Sequence, residues 1–182
     1  MKKRFRDSLP SEWLKYLVVT ILCVVLWMWF FGMYHSPKDT EKIEVFFAGH
    51  VKSGNAFESL AEKQFDYLKS VSIASADPAR KNAFQQKYET VGFTMSDVVI
   101  VPESVANATQ CETAFAELTD MGEAYIQNEI SYGVYIPEEK KTWLAQYFDF
   151  TEERYVVFAV ASSVNSGGKT NHSFDFIEWI VR

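Results

Sequence analysis

Cysteine is nearly missing from this chain. Its 182 residues hold two, Cys23 and Cys111. Cys23 lies inside a long apolar run and Cys111 far outside it, so the two cannot pair within one folded unit. That excludes a disulfide-built secreted scaffold and suits an exported bacterial protein, in which internal disulfides are often absent. Histidine is scarce as well: His35, His50 and His172 have no second His or Cys at metal-ligand spacing, so no metal site is expected. No G-x-S-x-G nucleophile elbow occurs, and the glycines near His50 and at Gly167-Gly168 are too irregular for a phosphate loop. Neither an enzyme nor a bound cofactor is expected from this inventory. Internal repeats and low-complexity tracts are missing too.

Positive charge is also in deficit. The formal net charge is −6. Residues 36–182 carry 13 Lys and Arg against 22 Asp and Glu, a balance of −9, while the first 35 residues carry 5 against 2. An acidic domain argues against nucleic acid and against an anionic membrane surface as partners. Its acids are scattered along the chain, as on a solvated, soluble surface.

What is present is one long apolar run. Residues 16–33 read YLVVTILCVVLWMWFFGM, without a charge or a proline. As a helix these residues span roughly 27 Å at about 1.5 Å each, close to a bilayer core of about 30 Å. Lys2, Lys3, Arg4, Arg6 and Lys15 precede the run, and the first cation after it is Lys38. Positive flanks stay cytoplasmic, so the N-terminus is expected inside and the rest exported. Trp27, Trp29, Phe30, Phe31 and Tyr34 would sit at the outer headgroup layer, Trp13 and Tyr16 at the inner one. A cleaved signal peptide would have a shorter apolar region and a small-x-small site, and FFGMYHSPKD offers none. The expected organisation is a cytoplasmic basic segment (1–15), a transmembrane helix (16–34), a short connector (35–41) and an extracytoplasmic α/β domain (42–182). The connector is short enough to keep the domain near the plasma membrane.

Within the domain, KIEVFFA (42–48) has the β-branched and aromatic make-up of a buried strand. Residues 56–69 follow with Phe57, Leu60, Ala61, Phe65 and Leu68 at helical spacing, capped by Ser53 or Asn55. VSIA (71–74) predicts a second strand. Asp77-Pro78 opens a helix over 79–90, and DVVIV (97–101) reads as a strand covered on both faces. Residues 104–118 and 121–129 are expected to be helical. YGVYI (132–136) and YVVFAVA (155–161) read as strands, with helices over 138–148 and 173–181. The order β-α-β-α-β-α at the start implies parallel strands in a three-layer αβα lobe. One or two antiparallel members are expected from residues 133–136 and 155–161.

Several of these segments together resemble a known family. IEVFFAG, FESLAEKQFDYL, VSIAS, QQKYET, DVVIVPES, AFAELTD and the closing YVVFAVASSVNSGGKTNHSFDFIEWIV are similar, in that order, to the first lobe of the extracellular solute-binding proteins of bacterial sugar ABC importers. The resemblance implies a single lobe of the type 2 periplasmic-binding fold over residues 42–182, without the inserted second lobe that closes over ligand in that family. It implies a membrane-anchored, non-enzymatic accessory or sensory subunit on an ABC transporter. The alternative is a tethered protein that binds carbohydrate or another small solute. An exported hydrolase would need a nucleophile and base together in a cleft.

In open α/β sheets ligands bind beyond the carboxyl ends of the strands. That selects Gly49, His50, Ser53 and Asn55 after the first strand, Glu103 and Ser104 after the third, and Ser162, Ser163 and Asn165 after the last. Tyr132 joins them as one of the aromatics of the second half, with Tyr125, Tyr135, Trp143, Tyr147, Phe148, Phe150 and Tyr155. Core and half-buried packing is expected to account for most of these; the rest offer a sugar-stacking platform or a partner-binding surface.

Overall fold

The computed structural model describes the backbone of residues 3–35 and 37–182, and the side chains of 13–32 and 37–182. The basic residues Lys2, Lys3, Arg4 and Arg6, the belt residue Tyr34 and the connector residues His35 and Ser36 lie outside the described side chains. The chain divides into two compact units, residues 1–36 and 37–182.

The first unit is one helix, α1 (Lys3–His35). Within it Trp13–Gly32 is 20 residues of mean hydropathy 2.2, long and apolar enough to cross a membrane. Its side chains are exposed along the whole window. The hydroxyl of Thr20 donates to the Tyr16 carbonyl at 2.8 Å, so this hydroxyl meets its own helix.

The second unit runs β1 (Lys42–Ala48), β2 (His50–Val51), α2 (Gly54–Gln64), β3 (Ser70–Ala76), α3 (Lys81–Lys87), β4 (Val98–Pro102), α4 (Glu103–Asn107), α5 (Cys111–Ala114), β5 (Ala124–Gln127), β6 (Ile130–Tyr135), α6 (Glu138–Leu144), β7 (Phe148–Asp149), β8 (Tyr155–Ala159) and α7 (His172–Val181). Among the described residues six strands make one sheet in the order β3-β1-β4-β8-β6-β5, and β2 pairs with β7 beside it. Strand side chains alternate between faces. Ile43, Val45, Phe47, Val98, Ile100, Val157 and Ala159 pack with Phe57 and Ala61 of α2 and with Phe176, Ile177 and Ile180 of α7. Phe46, Ala48, Val99, Val101, Val156 and Phe158 pack on the other face with Phe84, Tyr88, Ala106, Cys111 and Phe115. Helices therefore cover both faces, as near-continuous apolar strands require.

The expected mostly parallel sheet is corrected to a mixed one. β1 runs parallel to β3 and β4, but the pairs β4–β8, β8–β6 and β6–β5 are antiparallel. The chain leaves α6 through β7, which pairs with β2 beyond the carboxyl end of β1, and so enters β8 from that end. The helix expected over 121–129 is absent: residues 124–127 form β5, in a hairpin with β6. The long helix expected over 104–118 is also absent. α4 and α5 are short, and residues 115–118 run extended between β8 and β6, where Phe115 bridges Val160, Ala116 N donates to Ala159 O at 2.9 Å and Leu118 N to Ser131 O at 2.8 Å. Neither Ser53 nor Asn55 caps α2 through its side chain, and Asp77 closes a local turn by accepting from Ala79 N at 2.9 Å, ahead of a helix that starts later.

Candidate functional site

The candidate residues do not converge. In the β4–β8 register Val98 faces Ala159 and Pro102 faces Tyr155. The chain leaving β8 therefore emerges at the amino end of β4, beside Asp97. Ser162, Ser163 and Asn165 lie there, at the opposite end of the sheet from Gly49, His50, Glu103 and Ser104. Five strand residues at about 3.3 Å each separate the two ends by roughly 15 Å.

At the amino end Asn165 and Asp97 tie the domain together. Asn165 is fully buried. Its Nδ2 reaches the carbonyls of Asp39 at 3.1 Å and Lys42 at 3.0 Å and the Asp97 carboxylate at 3.1 Å. Its Oδ1 accepts from the Thr170 hydroxyl at 2.8 Å. Asp97 also accepts from Glu44 N at 2.7 Å and from the Ser163 hydroxyl. Ser163 Oγ in turn accepts from Asn165 N at 2.9 Å. These bonds fasten the entry to β1 onto the loop after β8, so Ser163 and Asn165 are consumed by the fold. A shallow pocket of about 200 Å³ remains here, lined by Lys42, Glu44, Asp97 and Ser162 among others. Lys42 pairs with Asp39 at 3.0 Å, and that hydrogen bond holds its ammonium above the usual lysine range.

At the carboxyl end the β1 loop is pinned in place. A Cβ on Gly49 would come 2.5 Å from the Phe47 ring, so only glycine fits where the chain leaves β1. Lys52 N and Ser53 N both donate to Tyr147 O, at 2.8 and 3.2 Å, and Lys52 Nζ reaches Asp149 at 3.4 Å. His50 borders a cleft of about 470 Å³ with Ser75, Asp77, Arg80 and Lys87. Asn55 stays exposed on α2, outside it.

Glu103 and Ser104 open α4 on the other side of this end. Tyr135 OH donates to Glu103 at 2.6 Å, and the Arg154 guanidinium sits 3.6 Å above the Tyr135 ring. Arg154 also reaches Glu103 at 3.6 Å and Glu123 at 2.5 Å. Burial first, and the Glu103 hydrogen bond second, push the Tyr135 phenol up to about 12. Ser104 bonds Glu152 and borders a groove of about 800 Å³ with Phe84, Tyr88, Phe93 and Thr109. Phe84 lines both this groove and the His50 cleft, so the two adjoin.

Tyr132 is buried and stands apart from these groups. The second-half aromatics are packed, as expected of most of them. Phe148 and Tyr155 are fully buried in one core, with Trp143, Tyr147 and Phe150 packed against it, while Tyr125 and Tyr132 lie in the other. Phe47 meets Phe148 at 4.7 Å and stacks on Tyr155 at 5.9 Å, which is ordinary interior geometry.

Sequence reasoning missed the partners of His50 (Asp77, Arg80 and Lys87) because nothing local marks a cleft built by β3 and α3. It also missed a charge boundary that the sequence does carry. Residues 88–139 contain ten Asp and Glu and no Lys, Arg or His, while the rest of 36–182 has 12 acids and 13 bases. The acids are scattered, but the cations are not, and the whole negative balance falls in this one stretch. Among the described residues no group of three His, Cys, Asp or Glu is placed to hold a metal ion.

Fold and surface define a class: an α/β domain with a mixed six-stranded sheet, in a chain that also has one apolar helix long enough to cross a membrane. No protein-family model, curated protein or solved structure matches the chain.

Proposed function

We propose that the protein is a membrane-anchored, non-enzymatic accessory or sensory subunit, N-terminus cytoplasmic, whose extracytoplasmic domain docks on a membrane complex such as an ABC transporter. The observation that carries this is the exposed 20-residue apolar window Trp13–Gly32, which a bilayer would cover and which fits its core in length. The loops at the amino end of the sheet are occupied by internal bonds, which favours a role in contact over one in chemistry. The ordered resemblance of segments in 42–182 to a solute-binding lobe supports the choice of transporter. The test is purification of the full chain from its native membrane in mild detergent, with mass spectrometry of what accompanies it. Transporter subunits at near-equal amounts are expected; a protein that emerges alone contradicts the proposal.

The groove of about 800 Å³ favours a second reading, a tethered binder of carbohydrate or another small solute. It has the size of a ligand pocket and aromatic side chains along it. That reading expects sugars to raise the melting temperature of the full chain by mass action.

A further inference from the structure

We propose that the outer edge of β5 is a docking strand for an extended segment of a partner protein, with an apolar residue at its centre and Lys or Arg on either side of it. This names the contact for the accessory subunit proposed above and rests on that reading for the partner's identity, though not for the surface.

Among the described residues no strand pairs with the outer side of β5. Asn128 and Glu129 have φ of 53° and 69°, and Gln127 faces Ile130, so a two-residue turn joins β5 to β6. The pair next to such a turn is the hydrogen-bonded one, and the next pair, Ile126 with Ser131, turns its backbone groups outward. The Ser131 carbonyl does so, accepting from Leu118 N on the far side of β6. The amide and carbonyl of Ile126 accordingly face away from the sheet. Tyr125 and Gln127 anchor the strand inward: Tyr125 OH donates to Asn107 at 3.0 Å, and the Gln127 side chain bonds both Cys111 N and Thr109 O at 3.0 Å. Ile126 points to the opposite face and is 63 % exposed, with Ile130 beside it at 36 %.

Charge selects the occupant. β5 lies in the stretch without a cation. Glu112, Glu117, Asp120 and Glu129 form no ion pair among the described residues. Glu123, by contrast, is shared with Arg154. A second copy of the chain, paired antiparallel along β5, would bring two cation-free stretches together, each with an unpaired Glu129 in the turn, and like charges so placed repel. A strand with Lys or Arg flanking its centre turns that repulsion into attraction, and an apolar residue at its centre covers Ile126. Strand addition supplies the main-chain bonds, and the flanking charges supply the preference.

The probe is a blocked heptapeptide, Lys-Thr-Thr-Val-Thr-Thr-Lys, titrated into the isotope-labelled full chain in nanodiscs of neutral lipid, with backbone amide shifts as readout. Saturating shifts centred on residues 123–127 are expected. Binding should weaken at least ~10-fold when Glu replaces both Lys, when Ile126 is changed to Lys, or in ~0.5 M salt. No shifts at β5, equal shifts with both peptides, or a concentration-dependent dimer through β5 would overturn the proposal. If the peptide binds at β5 while the protein purifies alone, the accessory reading fails and the edge stands. Should partners co-purify equally with wild type and Ile126→Lys, the edge fails and the accessory reading stands.

Discussion

The sheet has two edges, and they are finished differently. β3 turns the amides of Val71 and Ile73 outward, and the carboxylates of Glu62 and Glu58, one turn apart on α2, accept from them at 3.1 Å each. Lys87 of α3 donates to the outward carbonyl of Ser75 at 2.7 Å. Three side chains thus occupy the hydrogen-bonding groups that an added strand would need. Among the described residues β5 has no such cover at Ile126, and the side chain there is exposed. Edges are where sheets join other chains, and proteins blunt them with covering groups, charge, bulges or short strands; β5 is short, and its pairing with β6 carries a bulge. One edge of this sheet is closed by helices that bring opposite charges to it. The other is left open in the only long stretch of the domain without a cation.

That contrast can be broken or sharpened by experiment. The largest effect is expected away from both edges, at the buried side chain that ties β1 to the rest. Asn165→Ala should lower stability by about 3 kcal/mol, because it leaves the carbonyls of Asp39 and Lys42 without their buried donor. Denaturant unfolding measures it, and both edges should loosen together. Next comes the pair Glu58→Ala and Glu62→Ala. Uncovering two edge amides should cost about 2 kcal/mol and make the chain associate with rising concentration, which light scattering detects.

Alkaline pH should act first on the open half. Burial pushes the Cys111 thiol up from 9.0 to about 11. The fold therefore holds that proton more tightly than the unfolded chain does, so stability is intact below pH 9 and falls as pH rises toward 11. Tyr135, at about 12, extends the fall. Thermal melts from pH 8 to 12 should show the decline, and Cys111→Ala should flatten its first part. Smaller still is the turn of the open hairpin. Glu129 has φ of 69°, a left-handed conformation that burdens any residue with a Cβ. Glu129→Gly should stabilise by about 1 kcal/mol. Ile126→Lys, on an exposed side chain, should stay within about 0.5 kcal/mol of wild type.

Much of the fold was legible where local pattern and tertiary context agree. KIEVFFA, DVVIV and YVVFA are strands because their apolar, β-branched residues are buried on both faces, and Phe57 and Ala61 mark the buried side of α2. The apolar run of α1 needed no context at all. What failed was set by distant pairing. Residues 124–127 are a strand only because β6 lies beside them and Asn128-Glu129 turns the chain without the usual glycine. Residues 115–118 are drawn out of a helix by backbone bonds to Ala159 and Ser131. Residues 155–161 are among those expected to run antiparallel, and β8 does; the loop after an antiparallel strand lies at the amino end of β4, so Ser162, Ser163 and Asn165 cannot join the loops after β1 and β4. The gap in Lys and Arg between Lys87 and Lys140 was readable throughout; counting acids alone concealed it.

The most direct test of the two-edge account is residue-resolved amide hydrogen exchange on the full chain in neutral-lipid nanodiscs. Val71 and Ile73 should exchange slowly, although they face outward from an edge strand, and Ile126 should exchange orders of magnitude faster. Equal protection at Ile126 and Ile73 would contradict it, for the edge of β5 would then be as closed as that of β3.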